Sequence, residues 1–271
     1  MGALRQWAGY AVTVTLLVEL SACTEAGSLP PTVAAGPPES PRTVAPVDPN
    51  SAITMRHSVP EQPRAVGRRP DHVVVVVLEN KHRSDVIGNP RAPYLNKLAR
   101  QGANMTRSYG VTRPSQPNYL AMFSGSTHGV KSNACPQRFK KEQNLGSQLR
   151  RVGLGFTGYS ESLPKTGFTG CVRGRYRRKH NPWVNFGNLP RSTNQPFSGF
   201  PRDYRKLPTV AFVSPNICNG MHDCSIRTGD RWMKEHFDRY AQWAKRNNSW
   251  LVVTFDENAG GRTHPIHRHR R

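Results

Sequence analysis

The run His72-Val73-Val74-Val75-Val76-Val77-Leu78, followed at once by Glu79-Asn80-Lys81, decides how this chain is read. Consecutive valines leave no polar face. An unbroken β-branched run, bounded by Pro70 and by polar residues, is a strand buried on both sides, the usual condition of a parallel sheet. Both faces must then be covered, and the chain offers helices to cover them. The stretch 91–102 (RAPYLNKLARQG) sets Tyr94, Leu95, Leu98 and Ala99 on one helical face and stops at Gly102. Residues 117–124 and 144–152 read as helices. Residues 230–247 form an amphipathic helix carrying Trp232, Phe237, Tyr240 and Trp243. Further strands are predicted at 155–159, 210–214 and 250–255. Strands alternating with helices imply an α/β fold, a layered sandwich with a mainly parallel central sheet, over residues 71–258.

The chain has 271 residues, with 39 Lys and Arg against 17 Asp and Glu and a net charge of +22. Beyond the N-terminus no uncharged apolar run is long enough to cross a bilayer, which excludes a multi-span membrane protein. Neither a Gly-X-Y period nor a longer repeat is present, so collagen and solenoid architectures are excluded. Residues 131–180 hold 12 Lys or Arg and two acidic residues. That stretch is either a solvated surface or an attractor of phosphorylated or anionic-lipid substrates. No aromatic-interleaved basic motif accompanies it, so no specific nucleic-acid partner is expected. A monomer is expected.

At the N-terminus, Arg5 precedes an apolar stretch from Trp7 to Leu20, and Leu20-Ser21-Ala22 stands before Cys23. This is a signal peptide over residues 1–22. Its end resembles a lipobox, which would make Cys23 the lipidated first residue of a lipoprotein. A plain signal peptide or an uncleaved anchor is the alternative. Residues 24–70 hold 10 of the 23 prolines and read as a disordered tether over 23–70. The protein is thus expected on the outer face of the cell membrane or secreted. Export places Cys135, Cys171, Cys218 and Cys224 in an oxidising compartment. Three pairings are possible; Cys135–Cys171 and Cys218–Cys224 are favoured. Without a C-x₂-C spacing, a cysteine zinc site is disfavoured.

In open α/β sheets reactive groups gather beyond the carboxyl ends of the strands. Here one strand runs into Glu79-Asn80, another into Asp256-Glu257, and a third into a loop containing His222-Asp223. Oxygen and imidazole donors from separate strand ends are what a divalent cation needs. Ser115 stands at the start of a helix, where exposed N–H groups and the dipole stabilise an anion. A hydroxyl so placed beside a cation is a candidate nucleophile; a lone N-cap serine would look the same.

Six blocks now stand in order: ENK at 79–81, TRPSQPNYLAMFSGSTHG at 112–129, GYSES at 158–162, RKHNPWVNF at 178–186, PNICNGMHDCS at 215–225 and VTFDEN at 253–258. Together they resemble a bacterial phosphoesterase family of secreted acid phosphatases and phospholipase C-like enzymes, within the alkaline phosphatase-like superfamily. The resemblance implies a three-layer, alkaline phosphatase-like fold and a metal-dependent phosphomonoesterase working through a phosphoserine. It makes Ser115 the nucleophile and gives Asn118 and His180 to the phosphate. It gives the divalent metal ion or ions, of unknown identity, Glu79, Asn80, Ser115, His222, Asp223, Asp256 and Glu257. Lys179 and His128 are read as substrate-binding, whereas Thr112, Tyr159 and Glu161 lie in family blocks without an assigned role. The partners implied are a phosphate ester, as a small molecule or a phospholipid headgroup, and a membrane reached through the lipid anchor.

Two departures qualify the resemblance. Gly220 stands where relatives carry Asp. After Asn258 the sequence turns to AGGRTHPIHRHRR, a basic His/Arg-rich tail over 259–271, where relatives carry a further strand, a late histidine ligand and a closing helix. On the resemblance the domain reads as truncated at its C-terminus; the tail itself reads as basic and disordered, replacement of the missing ligand by His264, His267 or His269 being the lesser alternative. The alternatives to an active phosphomonoesterase are a phospholipase C or phosphodiesterase, and an impaired relative that only binds anionic ligands.

Overall fold

A computed structural model describes residues 68–258. The signal, lipidation and tether readings up to residue 67, and the tail at 259–271, lie outside the described residues. In chain order the elements are β1 His72–Leu78, α1 Arg83–Val86, α2 Pro93–Gln101, α3 Ser115–Ser124, α4 Leu145–Arg151, β2 Phe156–Ser160, β3 Val172–Arg173, β4 Tyr176–Arg177, β5 Asn194–Pro196, β6 Val210–Ser214, α5 Ile226–Ala244 and β7 Ser249–Phe255. Five strands form one wholly parallel sheet in the order β5-β2-β6-β1-β7. The remaining two, β3 and β4, make a separate antiparallel hairpin.

The valine run is the hinge of the architecture. In β1, Val75 pairs with Phe212 on one side and Val252 on the other. Its neighbours Val74, Val76 and Leu78 face α2 and α5 and are fully buried with Leu95, Trp232, Met233, Phe237 and Tyr240. The carboxylate of Asp230, on α5, accepts from the Tyr94 and Leu95 N–H groups at 3.1 and 2.8 Å and so caps the start of α2. On the opposite face Val75 meets an aromatic layer of Phe123, Phe156, Trp183, Phe186 and Phe212. Phe123 lies 5.1 Å from Phe156 and 5.7 Å from both Phe186 and Phe212, centroid to centroid. Its truncation to alanine would cost about 3–5 kcal/mol. Gly158 lets Trp183 lie directly on β2, since a Cβ there would stand 2.0 Å from the indole. The three layers are therefore as expected. At the β7 edge the aromatic layer stops short, leaving Trp250 48% and Val252 38% exposed. Among the described residues no helix is long and apolar enough to cross a membrane.

Both favoured disulfides are present, Cys135–Cys171 and Cys218–Cys224. Because the sheet strands are all parallel, their carboxyl ends deliver Glu79, Glu161, Asn216 and Asp256 to one rim.

Candidate active site

Past Leu78, the Glu79 N–H donates to the Gly220 carbonyl at 2.8 Å and Asn80 takes a left-handed conformation, φ 48°. This turn sends the Glu79 side chain inward to 1% exposure. The Tyr119 hydroxyl donates to Glu79 Oε1. His180 Nε2 lies 3.1 Å from Glu79 Oε2, but the two are not aligned, and neither atom has a hydrogen-bond partner. Burial pushes the Glu79 carboxyl up to about 7, against the Tyr119 hydrogen bond and the Lys179 charge. Burial, aided by Lys179, pushes the His180 imidazole down to about 3. The contact is therefore that of a neutral ring with a carboxyl poised between its two states.

At the end of β7 the Asp256 N–H extends the ladder to the Leu78 carbonyl at 3.0 Å. Asp256 Oδ1 accepts from the Asn80 and Glu257 N–H groups at 3.2 and 2.7 Å, while Oδ2 is buried without a partner. Burial, and then the nearby Glu79 carboxylate, hold the Asp256 carboxyl well above the usual range. Glu257 turns the other way. Its Oε1 accepts from the Ser115 hydroxyl at 3.0 Å, and its Oε2 accepts from Arg113 Nε at 3.0 Å. Arg113 also donates to the Asn258 carbonyl at 2.8 Å. Ser115 is the first residue of α3, and Pro117 sits in the first turn, where a missing N–H costs nothing.

The structure thus brings Glu79, Ser115, His180, Asp256 and Glu257 into one buried cluster, with Asn80 and Lys179 beside it. His222 stands at the rim, its ring 6.1 Å from that of His180 and its Nδ1 2.5 Å from Asp223 Oδ1. Asn118 has both amide atoms engaged by the Thr112 backbone, so it ties down the loop before α3. His128 is not brought to the cluster, in contrast to the sequence expectation. It shares a hydrogen bond with Ser124 at the far end of α3, on the order of 14 Å of helix from Ser115. Glu161 accepts from Asn216 N, Asn219 Nδ2 and Trp232 Nε1, which anchors the 215–221 loop. Tyr159 packs edge-on against Phe200 in the core.

Three residues without an assigned role in the sequence complete the site. Tyr119 stands four residues after Ser115, on the same face of α3, a relation that helical spacing alone carries. Arg113 holds Glu257. Lys81 donates to the Asn80 and Met221 carbonyls at 3.0 and 2.6 Å and so ties the β1 turn to the His222 loop. At Gly220 a Cβ would stand 3.3 Å from Glu79 Cγ and 3.1 Å from the Asn216 carbonyl oxygen. An aspartate there would crowd Glu79 and add a fourth carboxylate.

The donor set bears on a cation. Glu79 Oε2 and Asp256 Oδ2 are buried carboxylate oxygens lacking partners. Burying such groups is costly unless they are protonated or neutralised. Among the described residues no group of three or more His, Cys, Asp or Glu side chains forms a ready metal cage. The residues fit a hard divalent ion held by two carboxylates, with hydroxyl, amide, water or substrate oxygens completing the shell, as Mg²⁺ is held at phosphate sites.

Comparison with known proteins places the chain among phosphoesterases. A family model described as the Phosphoesterase family matches residues 86–265. That range takes in Ser115, His180, His222, Asp256 and Glu257, and begins past Glu79. A phosphatidylinositol-3-phosphatase of Mycobacterium tuberculosis is 50% identical over 197 residues, 72% of this chain and 66% of that protein. A probable acid phosphatase of Kluyveromyces lactis is 30% identical over 199 residues, covering 68% of this chain and 47% of the relative. An acid phosphatase of Aspergillus fumigatus is 30% identical over 198 residues, covering 68% and 44%. The chain therefore spans from 44% to 66% of the length of these curated relatives.

Proposed function

The chain belongs to the phosphoesterase family, and from that premise we propose that it hydrolyses phosphate monoesters, as an acid phosphatase-like enzyme acting outside the cytoplasmic membrane. The observation that carries the reading is the Ser115 hydroxyl at the head of α3, donating to Glu257 at 3.0 Å beside two buried, unpartnered carboxylate oxygens.

Ser115 Oγ attacks phosphorus, and Glu257 Oε1 accepts its proton. The bond to the leaving oxygen breaks, the departing alkoxide takes a proton from solvent, and a phosphoseryl group remains. Water then attacks phosphorus and gives up a proton to solvent, phosphate leaves, and Glu257 returns the serine proton to Oγ. Arg113 keeps Glu257 aimed at Ser115. The start of the α3 dipole and Lys179 favour the phosphate charge. Glu79 and Asp256, with Asn80 or Ser115 Oγ, would hold a divalent cation, which supplies charge neutralisation of the phosphate and a lower barrier to attack. His180 is neutral and buried, its Nε2 unpartnered 3.1 Å from Glu79 Oε2.

The relative named phosphatidylinositol-3-phosphatase favours a monoester carried on a lipid headgroup over diester cleavage. Two disulfides support an oxidising, exported setting. The test is hydrolysis of p-nitrophenyl phosphate by the full chain, with and without chelator, beside Ser115→Ala. Turnover that chelator and the substitution both abolish is the expected result. A folded chain without turnover would leave an impaired relative that only binds anions.

A further inference from the structure

The β3–β4 hairpin is a basic feature of the described surface that the reaction does not use, with Arg173, Arg175 and Arg177 in a span of five residues. Gly174, with φ 53°, makes its two-residue turn, and Arg177 closes it by donating to the Gly174 and Tyr176 carbonyls at 2.6 and 2.9 Å. Arg173 and Arg175 are exposed. No ion pair among the described residues reaches Arg173, Arg175 or Arg177. Beside them Val172 is 58% exposed, an apolar side chain placed among arginines.

The hairpin is fixed to the rim of the cluster. The Arg175 carbonyl accepts from Ile217 N at 3.2 Å, and the Ile217 carbonyl from Asp223 N at 2.9 Å. Arg178 N donates to the Cys171 carbonyl at 3.0 Å, and Cys171 is bonded to Cys135. Next to Cys135, the Ala134 carbonyl accepts from Gln116 of α3, the neighbour of Ser115. Arg177, at the end of the hairpin, and Lys179, two residues on, carry positive charge along the chain to His180 at the cluster.

We propose that this hairpin seats the protein on a bilayer of anionic phospholipid, Arg173 and Arg175 on the headgroups and Val172 in the interface, with the cluster facing the membrane. Unpaired arginines alone would suit any polyanion. The exposed valine in their midst selects a surface with an apolar interior over a soluble one. The use of such docking to the protein rests on the phosphomonoesterase reading, but the docking itself does not, so the two can fail separately.

The experiment is co-sedimentation of the full chain, and of Arg173→Ala/Arg175→Ala, with phosphatidylcholine vesicles containing or lacking phosphatidylserine. Any contribution of the N-terminal segment is common to both proteins, and the increment due to phosphatidylserine is the readout. The expected result is a partition coefficient into phosphatidylserine vesicles about thirtyfold lower for the variant. Val172→Ser should lower it further, while p-nitrophenyl phosphate turnover is unchanged. Equal binding of wild type and variant, or indifference of the wild type to phosphatidylserine, would overturn the proposal. A variant that loses heparin retention but not vesicle binding would overturn it in favour of a soluble polyanion. Loss of soluble turnover in the variant would also overturn it, marking the hairpin as support for the site.

Discussion

At the first residue of α3, Ser115 donates to the carboxylate of Glu257; nine residues on, Ser124 shares a hydrogen bond with His128 at 2.8 Å. In sequence the second pair looks the more like machinery, a serine beside a histidine. In space it is closed. Ser124 also donates to the Leu120 carbonyl at 2.7 Å, and the His128 ring lies 4.6 Å from Phe139 and 5.6 Å from Phe186. None of the buried atoms without partners belongs to that end of the helix, whereas Glu79 Oε2, His180 Nε2 and Asp256 Oδ2 all gather near the other. Unfilled hydrogen-bonding capacity in a buried place, rather than a pair of reactive residue types, separates a site from a structural contact.

The strongest way to break this contrast is at the serine itself. Ser115→Ala is expected to lower kcat for p-nitrophenyl phosphate by about 10³-fold or more with an unchanged melting profile. The next effect is on stability. The Glu79 carboxyl, at about 7 in the fold against 4.5 ordinarily, keeps a proton that the unfolded chain has lost. Its contribution is thus present at low pH and lost as the pH rises from 4.5 to about 7. His180 runs oppositely: with its ring at about 3 rather than 6.5, its contribution is present above 6.5 and lost as the pH falls toward 3. Glu79→Gln should therefore stabilise the metal-free chain by about 3 kcal/mol above pH 7 and change little below pH 4.5. Urea unfolding in chelator at both ends of that window checks it.

Arg113→Lys removes the fork that aims Glu257, and kcat should fall by about a hundredfold while the melting temperature barely moves. The smallest effect sharpens the contrast from the structural side. His128→Asn should cost about 1 kcal/mol in urea unfolding and leave turnover as it was. A large loss of turnover in that variant would erase the distinction between the two ends of α3.

Much of the fold is legible because it rests on local pattern. The valine run needs no alternation when both its faces are covered, and β1 has the expected bounds, His72–Leu78. The long helix, expected over 230–247, runs instead over Ile226–Ala244, because Ser225 accepts from Thr228 N and starts it earlier. Strand β5, Asn-Gln-Pro, carries no strand pattern. It is placed by Asn194, whose side chain binds Asn181, Trp183 and the Phe168 carbonyl, contacts distant in sequence.

The site divides in the same way. Strand ends announce Glu79, Asp256 and Glu257, but the acidic pair reads as one ligand unit. Leaving a strand, adjacent side chains diverge, so Asp256 meets the Glu79 side and Glu257 meets Ser115 and Arg113. His128 shares a sequence block with Ser115, and only the length of α3 separates them.

The account stands most directly on a covalent intermediate at Ser115. The full chain would be quenched in acid during turnover of a phosphate monoester and its peptides mapped by mass spectrometry. Phosphate held on Ser115, and absent from the Ser115→Ala protein, is the predicted result. Undiminished turnover by Ser115→Ala, or phosphate trapped on another residue, would contradict it.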